Sequence, residues 1–472
     1  MGFVFFDTET SGLSPPFDQI LQFAAVHTDH DLVEIERFEV RSRLQPHVVP
    51  HPAALLVNRL PIARLLDRSL PTHIAMIEAI ETRLRAYSPA IFTGYNSIGF
   101  DEEMLRHALY QSLYPPYLTS GKGCGRADVY ALVQSAIAID PGCLVVPVKD
   151  NGQRDLRLPS LLATNGIRSD SSHDAMADAL GTLALCRLLR DRSPEAWQGF
   201  VRLSNKSVVG EIVDHDEAFV LTEFFGGEPY HRLVCSLGNI PGNPNGRFCI
   251  DLSRDPDEWA DMDDEAVRAQ ICCKGTPLRR VKVNGAPIIT TLDTVDEIMP
   301  GLDLSAARRR AERYRSSGDF AARLIGIYTA DWQSRDASPF AEACLYSGGF
   351  IQDEDLAIAR DFHRVNWPDR MAIAARFPDA RLRSLAERLC HIYARAHLPQ
   401  EICRSADLAL ADRLLDAQGG PRTLGEALAA TDELLASASS EDADLLSDFK
   451  GYLVEREARV RAFRVKAADA AD

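Results

Sequence analysis

The sequence predicts an α/β protein built in three successive parts. Strand-like and helix-like stretches alternate over residues 1–195, short β runs with turn signals fill most of 202–352, and helical periodicity dominates 353–472. A length of 472 residues exceeds one ordinary core and suggests about three domains. With 46% hydrophobic and 25% charged residues, the composition is that of a globular chain. No apolar run approaches the ~18 residues of a membrane span, and no basic segment precedes an apolar stretch at the N-terminus. A cytoplasmic protein without a membrane partner is expected. The ten cysteines are scattered with no C-x-x-C pair, which reads as reduced, packed thiols.

The first element is the apolar run Phe3-Val4-Phe5-Phe6, which reads as a buried strand ended by the Ser11-Gly12 turn signal. Further strands are expected at 20–27 and 34–40, before Pro46, Pro50 and Pro52 interrupt the chain. Ile74, Ile77, Ile80 and Leu84 stand at helical spacing and predict a helix over 72–87. A strand at 90–95 leads into a helix over 101–113. Helices come next at 128–139, 158–165 and 174–189, with 145–156 a loop and a boundary near Ser193-Pro194. In the second part, Asn243-Pro244-Asn245-Gly246 marks a turn before a strand at 247–252. Val281-Lys282-Val283-Asn284-Gly285-Ala286 signals a hairpin, Asn-Gly suiting a tight type I′ turn. Helices at 306–314 and 320–332 are mixed in. The third part reads as helices at 355–365, 379–396, 407–416, 424–438 and 443–463, with 466–472 expected to fray.

The chemistry starts on the first strand. Side chains two apart on a strand share a face, so Asp7 and Glu9 stand side by side at its end. They repel one another, lose solvation, and have no basic partner nearby in sequence. Solvated residues at a strand end would be the plain alternative if D-x-E stood alone. Gly94-Tyr95-Asn96-Ser97-Ile98-Gly99-Phe100-Asp101 delivers a third carboxylate at a strand-to-helix turn, where an Asp is more commonly a helix cap. His173-Asp174-Ala175-Met176-Ala177-Asp178 opens a long helix with a fourth. Five residues turn an ideal helix through about 140°, so His173 belongs to the loop before that helix rather than to the face of Asp178.

Together these motifs resemble the D-E-D-D-h exonuclease superfamily: Asp7 and Glu9 in the first, Asp101 in the second, His173 and Asp178 in the third. Four acidic residues arriving in order in three motifs make a specific signal, and the histidine five before the last Asp marks the histidine branch. The likeness extends to the bacterial exodeoxyribonuclease I family through Tyr114-Pro115-Pro116-Tyr117, Asn165-Gly166-Ile167, Asn205-Lys206 and Leu345-Tyr346-Ser347-Gly348-Gly349-Phe350. It covers nearly the whole chain and is weakest in the C-terminal helices; 119–126 and 145–156 depart from the family pattern. The resemblance implies an RNase H-like nuclease domain at 1–195, an SH3-like domain at 202–352 and a helical domain at 353–472. These would enclose single-stranded DNA in a monomer whose activity is processive 3′–5′ degradation to 5′-mononucleotides, in DNA repair and recombination.

That reading calls for two Mg²⁺ ions, with Mn²⁺ able to substitute, held by Asp7, Glu9, Asp101 and Asp178. His173 is the expected general base toward the attacking water. Glu9 and Arg157 are expected to contact substrate, and Leu13, Tyr95 and Phe100 to stack or wedge against bases or simply to pack. A net charge of −16 opposes a nucleic-acid partner unless basic residues concentrate locally, as at 274–282 and 308–315. The arginines of 308–315 form either a solvated helix face or a ridge for the acidic tail of single-stranded DNA-binding protein, a partner the resemblance implies. Two alternatives stay open: an RNA-trimming or proofreading enzyme of the superfamily, and an inactive nucleic-acid-binding scaffold.

Overall fold

In the computed structural model, residues 1–168, 174–332 and 338–469 are described. The first sheet is organised around β1 (Gly2–Thr10). Beside it lie β2 (Ile20–Thr28), β3 (Glu34–Arg41), β4 (Ala90–Thr93) and β5 (Gly125–Arg126), in the order β3-β2-β1-β4-β5. β2 runs antiparallel to β1 and β3, while β4 runs parallel to β1 and β5. Alternation along β1 explains its unbroken apolar run: both faces are covered. Phe3 and Phe5 join a core with helices Val129–Ile139 and Ala175–Arg192, whereas Val4 and Phe6 join one with helices His73–Tyr87 and Asp101–Gln111. Helix Pro194–Leu203, which begins at the expected boundary, sends Ala196 and Phe200 into the first of these cores.

The second sheet holds β6 (Phe219–Phe225), β7 (Glu228–Ile240), β8 (Asn243–Asp251), β9 (Leu278–Lys282) and β10 (Ile289–Thr290), all antiparallel, in the order β10-β6-β7-β8-β9. Two of the expected turns differ from expectation, one in place and the other in what it connects. Asn243 to Gly246 fall inside β8, and the chain reverses just before them at Pro241-Gly242. The turn at Asn284-Gly285 does not close a hairpin, because β9 and β10 occupy opposite edges of the sheet. It is not type I′ either: Ala286, at φ +46°, is the left-handed residue there. One face of this sheet packs on helices Asp264–Ile271, Leu304–Ser316 and Gly318–Thr329, the other on helix Lys206–His215.

The C-terminal helices are bound to the first part of the chain. Helices Asp353–Arg364 and Ala380–Tyr393 share a core with Ile74, Tyr110 and Leu113. Helices Gln400–Asp416, Leu424–Leu435 and Ser440–Asp469 share another with Leu21, Leu44 and Leu55. Within the stretch expected to fray, the last helix continues to Asp469, and Arg404 donates to the Ala467 carbonyl at 2.7 Å. No described helix is long and apolar enough to cross a membrane.

Candidate active site

Asp7 and Glu9 project from β1 toward helix Ala175–Arg192, which packs across β1 and carries Asp178 in its first turn. Carboxylate oxygens of Asp7, Glu9 and Asp178 lie within 4.8 Å of one another. Asp101 arrives from the other side, as the first residue of helix Asp101–Gln111. Its Oδ1 accepts hydrogen bonds from the Thr8 backbone N–H at 3.0 Å and the Thr8 hydroxyl at 2.6 Å. The fold therefore brings three of the sequence-predicted carboxylates into direct proximity and seats the fourth against the strand between two of them. His173 lies outside the described residues.

The electrostatics arise from crowding and burial. Burial, then repulsion from Asp101, Asp178 and Glu9, holds Asp7 well above the usual carboxylate range. Glu9 is pushed up to about 8, by burial first and then by Asp178, Asp101 and Asp174, with Arg41 pulling the other way. Asp101 is pushed up to about 7 by burial, against the lowering effect of its Thr8 bonds. Without added positive charge these groups cannot all ionise at neutral pH. Arg41 does not supply it, since its guanidinium is shared with Asp174 at 2.7 Å and Glu39 at 3.2 Å. A set of converging, mutually repelling carboxylate oxygens fits a hard divalent cation. The chain thus carries an acidic metal-binding group.

Other expected site residues are placed differently. Arg157 has a side chain 72% exposed and pairs with Asp155 at 2.6 Å. It stands with Tyr95, Asn96, Lys149, Arg154 and the Gly226-Gly227 tip in the wall of a cleft of about 550 Å³. Tyr95 packs edge-on against Tyr130 and donates its hydroxyl to the Leu156 carbonyl, and Phe100 packs against the second core. Leu13 is 83% exposed, so of these three it is the one presented to solvent. The arginines of helix Leu304–Ser316 are largely committed: Arg308 to Glu217, Arg310 to the Leu252 carbonyl, Arg313 to Asp257, and Arg315 to the Asp216 carbonyl. Sequence reasoning missed Thr8, Arg41 and Asp174, the last of which caps helix Ala175–Arg192 and is held by Gln22 and Arg41. Only the cap had a local signal, an Asp before an apolar helix.

The mixed sheet centred on β1 and its acidic metal-binding group are those of an exonuclease domain. Residues 4–186 match the family described as exonuclease, and residues 205–330 match the exonuclease I SH3-like domain. Exodeoxyribonuclease I of Escherichia coli strain K12 is 26% identical over 402 residues, 81% of this chain and 83% of that protein. The solved structure of a moderately thermophilic exonuclease I from Methylocaldum szegediense is similar with a TM-score of 0.83 and 27% identity, covering 97% of this chain and 99% of that one. The E. coli exonuclease I in complex with a dA16 oligonucleotide has the same fold, with a TM-score of 0.83 at 22% identity over 96% of this chain and 99% of that one. The chain belongs to the exonuclease I family.

Proposed function

We propose that this chain is a metal-dependent 3′–5′ exonuclease that degrades single-stranded DNA to 5′-mononucleotides in the cytoplasm. The observation that carries this reading is the convergence of Asp7, Glu9 and Asp178 within 4.8 Å, with the Asp7 and Glu9 carboxyl groups held above their ordinary range. These three would hold the cations, joined by Asp101, whose Oδ1 accepts from Thr8. When bound, two Mg²⁺ ions, or Mn²⁺ in their place, supply charge neutralisation at the scissile phosphate and a lowered pKa for the attacking water. His173 takes the proton from that water. Glu9 and Arg157 contact the terminal nucleotide, Arg157 offering its exposed guanidinium to a phosphate.

The division into 1–195, 202–352 and 353–472 is part of the same proposal, supported by the separate cores of the two sheets. A solved ExoI/SSB-Ct complex, with a TM-score of 0.81 at 22% identity, supports the acidic tail of single-stranded DNA-binding protein as a partner. Helix Leu304–Ser316 is a poor place for it, because four of its five arginines already hold acidic side chains or carbonyls.

The test is digestion of 3′-labelled single strands of DNA and RNA, with Mg²⁺ and with chelator. Metal-dependent release of label from DNA as 5′-mononucleotides is expected. Release without metal, or preferential release from RNA, contradicts the proposal.

A further inference from the structure

Asp128 lies on none of the four carboxylate positions, yet it is 7% exposed and accepts three backbone N–H groups. Its Oδ1 accepts from Tyr130 at 2.9 Å, which caps helix Val129–Ile139. The other two bonds come from a different element. The Asn96 N–H reaches Oδ1 at 2.8 Å and the Ile98 N–H reaches Oδ2 at 3.1 Å, both from the loop between β4 and helix Asp101–Gln111. Capping needs the first bond and does not explain the other two.

That loop has little freedom on its remaining sides. Asn96 sits at φ +59°, a left-handed conformation that few non-glycine residues adopt. The Val129 N–H donates to the Gly94 carbonyl at 2.9 Å, and the Phe100 and Glu102 N–H groups donate to the Ser97 carbonyl at 3.3 and 2.9 Å. Gly94 lies so close to β1 that a Cβ there would stand 2.4 Å from the Phe6 carbonyl oxygen. The loop is therefore lodged between β1 on one side and the Asp128 carboxylate on the other, and the residue it delivers is Asp101.

We propose that Asp128 is a positioning residue for the metal centre: by holding the Asn96 and Ile98 amides it fixes the loop that seats Asp101 against Thr8. The role depends on Asp101 being a cation ligand, as in the function proposed above. A buried partner that orients a ligand is commonly worth about 10–100-fold in metal affinity or activity. Asp128 acts one step further back, through the backbone rather than the ligand side chain.

The discriminating variant is Asp128→Ser, because serine still caps a helix but its short hydroxyl cannot span to the loop. Wild type, Asp128→Ser and Asp128→Ala are compared by Mn²⁺ affinity from titration calorimetry, by kcat and KM on a 3′-labelled single strand of DNA, by the melting temperature in chelator and by amide hydrogen exchange. For Asp128→Ser the expected result is Mn²⁺ binding weakened about tenfold, kcat reduced about 10–100-fold, KM within about twofold, and melting well above that of Asp128→Ala. Hydrogen exchange should quicken at Asn96 and Ile98 and not at Tyr130. Mn²⁺ affinity and kcat within about twofold of wild type in Asp128→Ser would overturn the proposal and leave the nuclease reading standing. A wild-type chain that binds no Mn²⁺ overturns both.

Discussion

Glu9 carries the strain of the site in a single side chain. Its carboxyl is pushed from 4.5 to about 8, so in metal-free protein it keeps a proton that the unfolded chain has already lost. Below about 4.5 both states are protonated and nothing is lost, whereas between about 4.5 and about 8 stability falls as pH rises, levelling beyond. Melting temperature in chelator should therefore decline from pH 5 to pH 8, and added Mg²⁺ should raise it more at pH 8 than at pH 5. Asp178→Asn removes one source of the repulsion, so it should flatten that decline while abolishing hydrolysis. A pH-independent melting temperature, or an Asp178→Asn profile as steep as wild type, would count against the repulsion. The Asp7 and Glu9 pair was legible because a strand has a period of two. Asp101 and Asp178 were legible as motif positions, each next to an element boundary. Thr8 was not: that its N–H and hydroxyl both meet a carboxylate 93 positions away depends on how helix Asp101–Gln111 is seated, which no local pattern records.

At the scale of elements, helix Asp101–Gln111 is tied to both sheets by the residue after Asp101. Glu102 is buried and accepts from the Arg126 Nε at 2.8 Å, and Arg126 also donates to the Asn284 carbonyl at 2.5 Å, in the turn after β9. Removing the arginine leaves a buried carboxylate with weaker partners, Arg106 at 3.2 Å and the Thr119 hydroxyl. Arg126→Met should then cost about 3 kcal/mol by urea unfolding. A cost under about 1 kcal/mol would mean that Arg106 and Thr119 suffice. This tie also shows why the Asn284-Gly285 signal misled. The turn is real, but the next strand, β10, pairs with β6 on the far edge of the sheet, and strand pairing across a sheet is not encoded in the few residues around a turn. Helices such as His73–Tyr87 and Ala380–Tyr393 were read nearly whole because 3.6-residue periodicity is local, whereas Lys206–His215 and the first turns of Gln400–Asp416 were not read. Short ones such as Pro52–Val57 and Trp367–Ala374 span too few turns to show it.

For the whole molecule, the acidic total of −16 includes carboxylates gathered at one place, where bound cations would offset them. That place is assembled from distant parts of the chain: β1, the loop after β4 and helix Ala175–Arg192 each bring part of it, and C-terminal helices pack from outside on Tyr110 of helix Asp101–Gln111. Arg422, in the loop before helix Leu424–Leu435, adds a polar tie to the first part of the chain, donating to Asp18 at 3.2 Å and to the Val49 carbonyl at 2.7 Å. The three-part order was legible from texture, whereas the packing of the third part onto the first was not, since amphipathic helices do not name the surface they cover. The most direct test of the carboxylate centre is an anomalous difference map from crystals soaked in Mn²⁺. A peak coordinated by Asp7, Glu9 and Asp178 is expected, and it should vanish in Asp178→Ala. Density only at other acidic side chains, or a peak unchanged in that variant, would contradict a cation held by these three residues.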